Sequence, residues 1–544
     1  LNTTVNKQPF AYLSDRLAMI VIVCFLMVLL VFGSCITGIV LKEPDICFLL
    51  ASGRWIVEHG QIPQTDPFSY TTHYHWAKYV IEKWLTEVIF YDIWAAVGIA
   101  GLLVFDAIVL CLAFIVMPMR IAYLFGWRGF RTILLALIVY WASMVHLTIR
   151  PEVFSFLFTG IFFELLIRSA RATANSAKID WRCIAIAGFV SCLWANLHTL
   201  FLGAILLTGM YGGSAILERL LPELRSKPLN LTPLLLPVAC FIGTLINPYG
   251  LGLWEYMPNV FGHFNTNESK PIQLHDALSF GFWPFYLLIL WGLKALWQRG
   301  VKRPFEQGDL FFRLLIPAGV VGGFNTVRSV PAAGLFLCTG ICHVLGLMKV
   351  EAKTQALTDD CAPGSANLTQ LSTTVNPLAA IDEKIARLVD PLHTMFPLVC
   401  ILIMAAGTYL TTFIVTPEIP QGSKAFTVPT RAVQFIAAHP PHGNLLNLVH
   451  FGNVLMWRIE HNPPVFIDSR YNLFGNDLLL DYWHMLRCED GWQELLDKYK
   501  IGWIFLPPQQ ELAKRLQQDP AWTLLYSDDD SVVLSRDPRD RKHP

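Results

Sequence analysis

The sequence predicts a mainly α protein, a polytopic transmembrane helix bundle of about 11 spans with a small C-terminal α/β unit. Three observations carry that prediction. Hydrophobic residues fill 54% of the 544 positions and only 15% are charged, against about 25% charged in an ordinary soluble domain. Several apolar runs reach the roughly 18 to 20 residues that cross a bilayer. Beyond Pro417 short strand-like runs alternate with helical ones, the pattern of a small α/β unit.

The first apolar run, Ala18–Val40, is longer than a signal-peptide core and lacks a small-residue cleavage site, so it reads as a retained helix. Further spans are expected near 97–118, 132–147, 152–168, 183–196, 200–217, 231–246, 282–298, 310–325, 331–348 and 395–415. The loops holding Arg120, Arg128 and Arg131, then Arg168, Arg171, Lys178 and Arg182, and later Arg299, Lys302 and Arg303, are the basic ones. By the positive-inside rule they face the cytoplasm. Residues 1–415 then form the membrane part, with 41–96 as the first outer loop and 349–394 as a polar cytoplasmic connector. Residues 416–544 form an extracytoplasmic α/β domain.

The first outer loop opens with charge (Lys42, Glu43, Asp45) and places Ile46, Leu49, Leu50, Trp55 and Ile56 on one helical face. An amphipathic helix at the membrane interface is expected there. A second such helix is expected in "WAKYVIEKWLTEVIFYDIW", with Glu82 and Lys83 near its start. The same topology sorts Arg150, Asn196, His198, Asn247, Tyr249 and Arg328 to the outer ends of helices. Charged groups at membrane depth normally face a cavity or a partner, and Arg150 and Arg328 each stand alone on the face where basic residues are scarce. These residues are expected to line one outward-facing cavity with Asp45. Taken singly, each also fits a plain role: Asp45 as a helix cap, the arginines as interface anchors, and Asp468 with Arg470 as a structural pair.

Net charge is zero and no nucleic-acid or phosphate-loop motif is present, so no nucleic-acid partner is expected. The 12 cysteines form no CxxC pair and mostly lie in apolar runs, which argues against a disulfide framework or a structural zinc site.

The ordered pieces "ASGRWIVEHGQIPQTDPFSY", "EKWL", "WAAVGIAGLLVFD", "RPEVFS", "WANLH", "NPYG", "RSVP", "VFIDSRYNLFGND" and "GWIFLPP" resemble bacterial membrane glycosyltransferases of the C superfamily. That group includes the aminoarabinose transferase and the protein O-mannosyltransferases, and the resemblance covers nearly the whole chain. It implies transfer of a sugar from a polyprenyl-phosphate donor to an acceptor on the outer face of a bacterial inner membrane. It implies Asp45 as general base, because an attacking hydroxyl must lose its proton to a carboxylate within reach. Lys83, Arg150 and Arg328 are then the candidates to hold the leaving lipid phosphate, which guanidinium groups suit well. Asn196, His198 and Tyr249 join them as substrate-binding candidates. No cofactor is required with certainty; a divalent metal is an option, with Glu82 and His198 as candidate ligands. The chain departs from the family's pattern at Leu49, Glu82 and Lys83, where His, His and Glu are usual. That departure motivates the alternative of a non-catalytic member serving as a subunit of a membrane protein complex.

Overall fold

The computed structural model describes residues 8–40, 45–72, 79–174, 176–221, 228–262, 280–299, 308–360, 377–389, 395–415, 429–459 and 464–536. Lys42 and Glu43 lie outside them. In the first half of the membrane part the helices are α1 (Gln8–Val40), α2 (Asp45–His59), α3 (Trp84–Cys111), α4 (Met117–Leu124), α5 (Phe130–Ser143), α6 (Glu152–Thr173), α7 (Trp181–Leu197) and α8 (Leu202–Glu218). Then come α9 (Thr232–Thr244), α10 (Gly252–Gly262), α11 (Trp283–Arg299), α12 (Asp309–Asn325), α13 (Val330–Asp360), α14 (Pro377–Val389) and α15 (Met395–Val415). Each expected span falls on a helix. Among the described residues, however, six helical stretches are long and apolar enough to cross a membrane, with three shorter apolar helices beside them. The expected count of 11 is therefore not reached by length and composition alone.

In the stretch expected to be the first outer loop, α2 forms, starting at Asp45. The second helix starts at Trp84 and runs on into the membrane segment, broken only at Gly98, whose φ of +71° no β-carbon-bearing residue adopts easily. That break divides the helix into two arms. The apolar face of α2 buries Ile46, Leu49, Leu50 and Ile56 against α3 and against a helix of the C-terminal unit. Its covering is thus protein, a correction to the interfacial reading. A Cβ at Gly53 would sit 2.1 Å from the Glu87 carbonyl oxygen, so only glycine allows α2 to lie this close to α3.

The expected cytoplasmic connector is helical at both ends. Helix α13 continues to Asp360, and α14 buries Ile385 while its Asp382 accepts from the backbone N–H of Phe130 at 2.7 Å. Residues 361–376 lie outside the described set.

The C-terminal unit holds α16 (Thr430–Ala438), β1 (Asn444–Asn447), α17 (Val449–Arg458), α18 (Gly475–Arg487), α19 (Trp492–Lys498), β2 (Ile501–Leu506), α20 (Glu511–Gln517), β3 (Thr523–Ser527) and β4 (Val532–Ser535). Its sheet has the order β1-β2-β4-β3. Strands β1 and β2 are parallel, while β4 pairs antiparallel to β2 and β3. β4 is buried along its whole length and β2 nearly so, the pattern of strands covered on both faces. Two expectations shift here. "NLLNLVHF" is a strand only to Asn447 and then turns into α17, and "PPVFIDSR" contributes a single bridge, Val465 to Ser69 of the first outer loop. Edge strand β3, half-exposed throughout, carries no long apolar signal and was not expected.

Candidate active site

The polar residues expected to converge lie at one end of the bundle. Asp45 opens α2, and its Oδ2 lies 3.1 Å from Nη2 of Arg150, with 19% and 13% of the two side chains exposed. Arg150 sits just before α6, in the short segment after a 3-10 turn over Met144–His146. Two residues on, Glu152 begins α6, and its Oε1 lies 2.8 Å from Nε2 of His146. Glu152 is within electrostatic range of both Arg150 and Arg328. Arg328 lies in the 3-10 turn Val327–Ser329 that joins α12 to α13.

His198 closes the ring. Its Nδ1 is 2.7 Å from Oγ of Ser155, and the same hydroxyl accepts from the Trp194 indole at 2.7 Å. Burial pushes the imidazole down to about 3; nearby Lys83 and Arg328 act in the same direction and Glu152 opposes them. His198 is therefore neutral at physiological pH. Lys83 lies 3.5 Å from Glu82 and 5.1 Å from the centre of the Phe48 ring. Asp45 thus neighbours Arg150, Glu152 neighbours Arg150 and Arg328, and the neutral His198 lies within electrostatic range of Glu152, Lys83 and Arg328.

Asn196 and Tyr249 belong to the frame around it. Asn196 accepts from the Trp84 indole at 2.9 Å and donates to the carbonyls of Cys192 and Ile246 at 2.8 Å each. These bonds tie the start of α3 to the end of α7. The Tyr249 hydroxyl accepts from the backbone N–H of Ile81 at 2.9 Å.

The C-terminal unit reaches the same cluster, which no sequence signal indicated. Asn453 on α17 is fully buried and points its amide N–H group at Asp45 Oδ1, 3.4 Å away. Its orientation is fixed twice by Ser469: Nδ2 donates to the hydroxyl at 2.8 Å and Oδ1 accepts from the backbone N–H at 3.0 Å. Docking is held by a second ionic cluster. Arg470 lies between Asp468 at 2.6 Å and Asp66 at 3.0 Å, donates to Tyr79 and Ser69, and covers the Phe68 ring. Burial disfavours its charge, yet the two carboxylates hold its pKa well above the ordinary value. Arg54 adds a bond to the Trp457 carbonyl and lies over that indole.

The residues present do not fit the optional metal. Glu82 faces Lys83 and His198 turns Nδ1 to Ser155, and among the described residues no group of three or more metal-ligating side chains gathers anywhere. Among the described residues ten cysteines are free.

No protein-family model matches the chain, and no curated protein matches it. Among solved structures, an oligosaccharyltransferase from Archaeoglobus fulgidus, tethered to an acceptor peptide containing the NVT sequon, superposes with a TM-score of 0.52 at 10% identity. The match covers 89% of this chain and 69% of that one. The chain shares the fold of that oligosaccharyltransferase. ArnT from Cupriavidus metallidurans bound to undecaprenyl phosphate is also similar, at 14% identity over 95% of this chain and 98% of that chain, with a TM-score of 0.47. Arabinofuranosyltransferase AftD from Mycobacteria matches at 12% identity, 95% of this chain, 40% of its own length and a TM-score of 0.47. The fold agrees with what the sequence motifs implied.

Proposed function

We propose that this protein transfers a sugar from a polyprenyl-phosphate donor to an acceptor hydroxyl at the outer face of a bacterial cytoplasmic membrane. On this reading residues 1–415 form the catalytic bundle and 416–544 an extracytoplasmic domain. The observation that carries the proposal is the Asp45–Arg150 pair, 3.1 Å apart and partly accessible, with Arg328 near Glu152 and Lys83 near His198 beside it.

The chemistry follows from charge. The acceptor oxygen forms a bond to the anomeric carbon while the bond from that carbon to the phosphate oxygen breaks. The bonding pair leaves with the lipid phosphate, and the acceptor proton passes to Asp45. Arg150, Arg328 and Lys83 stabilise the charge that grows on the departing phosphate. In the resting protein Arg150 is engaged by Asp45. An arriving phosphate competes for that guanidinium and releases the carboxylate for the acceptor, so the base is freed as the donor binds. Asn453 keeps the carboxylate oriented from the other side, and Asn196 and Tyr249 hold the surrounding backbone.

The test is turnover by purified protein given a polyprenyl-phosphate sugar and an acceptor. Asp45→Asn keeps the side-chain shape and removes the proton acceptor, so release of polyprenyl phosphate is expected to fall by roughly 10²–10⁴. Undiminished turnover would remove Asp45 from the mechanism.

A further inference from the structure

The imidazole of His198 is held by a chain of hydrogen bonds whose direction is fixed by its first member. The Trp194 indole nitrogen can only donate, and it lies 2.7 Å from Ser155 Oγ, so that oxygen accepts. The hydroxyl hydrogen of Ser155 is then left for His198 Nδ1, 2.7 Å away. The backbone N–H of Leu200 points at the same ring nitrogen from 3.4 Å. Two donors converge on Nδ1, so this nitrogen presents a lone pair and carries no hydrogen.

Burial keeps the ring neutral, and a neutral imidazole has one N–H. With Nδ1 excluded, the hydrogen is on Nε2. Trp194 and Ser155 are buried, whereas His198 is half-buried, and among the described residues its Nε2 has no hydrogen-bond partner. The charged groups within electrostatic range of the ring are Glu152, Lys83 and Arg328. Glu152 is engaged by His146 at 2.8 Å, and Lys83 lies beside Glu82. The ring thus offers this site a donor that carries no charge. An atom that only donates suits an oxygen that only accepts, and ionised phosphate oxygens are of that kind.

We infer that His198 donates a hydrogen bond from Nε2 to a phosphate oxygen of the lipid-linked donor, and that Ser155 and Trp194 are positioning residues that fix its tautomer. The bond made by one ring nitrogen decides which hydrogen the other presents. Such a contact strengthens as negative charge grows on the departing phosphate, and it adds no positive charge beside Lys83 and Arg328. The identity of the ligand rests on the transferase reading, whereas the tautomer follows from the hydrogen bonds alone.

The test uses the full chain in neutral detergent, with two readouts: the ring-nitrogen NMR shifts of His198 and the affinity for undecaprenyl phosphate. In the wild type at neutral pH the shifts should report the Nε2–H tautomer; the Nδ1–H tautomer or a doubly protonated ring would overturn the inference. Ser155→Ala should turn that signal into a mixture of both tautomers, and an unchanged signal would remove Ser155 from the chain. Affinity should fall about tenfold in His198→Ala, the worth of one hydrogen bond to a charged group. In His198→Gln it should stay within about twofold of wild type, because the glutamine amide places an N–H near the position of Nε2. Equal affinities in all three proteins, or equal losses in both variants, would overturn the phosphate contact. Affinities that split as expected in a protein without turnover would fail the transferase reading and uphold this contact. Turnover without the split would do the reverse.

Discussion

Two ionic clusters, both built from arginine and aspartate, differ in how far they are closed to solvent. Around Arg470 every side of the guanidinium is occupied: two carboxylates, a tyrosine, a serine and a ring face, with 6% of the side chain exposed and none of Asp66 or Asp468. Around Asp45 the carboxylate has one guanidinium and one long amide contact, and it keeps 19% of its side chain accessible. Arg150 and Arg328 also lie near Glu152, and Lys83 lies 3.5 Å from Glu82. A cluster closed to solvent marks a joint, whereas one that keeps an accessible carboxylate leaves room for a ligand to arrive.

The comparison breaks most visibly through the joint. Arg470→Met leaves Asp66 and Asp468 buried without a counter-charge, and breaking such a pair costs about 3–5 kcal/mol. A lower melting temperature and protease cleavage between the bundle and the C-terminal unit are expected; wild-type stability would mean that Arg470 is not what holds the two together. Arg328→Ala is the opposite case. Its loss is expected to cut transfer by roughly 10²–10³, the effect of removing one stabiliser of developing charge, while melting stays within about 1 kcal/mol of wild type. A variant that loses both fold and activity would place Arg328 with the structural cluster instead. Asn453→Ala sharpens the boundary between the two, because this residue belongs to the C-terminal unit but addresses Asp45. Transfer about tenfold lower, from a lost hydrogen bond to a charged group, with donor affinity preserved, is the expected split. Equal losses in turnover and donor binding would make it a packing residue.

Much of this arrangement was legible in the sequence. Arg150 and Arg328 stood out because basic residues are scarce on the face expected to be the outer one, and in the structure Arg150 pairs with Asp45. Glu152 had a signal that went unused, since it lies two residues beyond Arg150 in "RPEVFS". Asn453 had none: it lies 408 residues from Asp45, and the contact exists because the C-terminal unit docks on α2 and the segment after it through Arg54, Arg470 and the Val465–Ser69 bridge. Periodicity likewise showed that α2 has an apolar face, but not that α3 and α17 cover it. Composition misled at the connector, where α14 folds on the strength of a few apolar residues such as Ile385 within a polar stretch. Asp106, inside an expected span, was overlooked; it is buried, and neither carboxylate oxygen has a hydrogen-bond partner.

The central claim is that Arg150 exchanges Asp45 for the donor's phosphate. Comparing the affinity of wild type and Asp45→Asn for polyprenyl phosphate tests it directly. Removing the competing carboxylate should tighten binding by about tenfold, roughly one charge-assisted hydrogen bond returned to the ligand, even as transfer is lost. Binding that is unchanged or weaker in a folded Asp45→Asn protein would contradict the exchange.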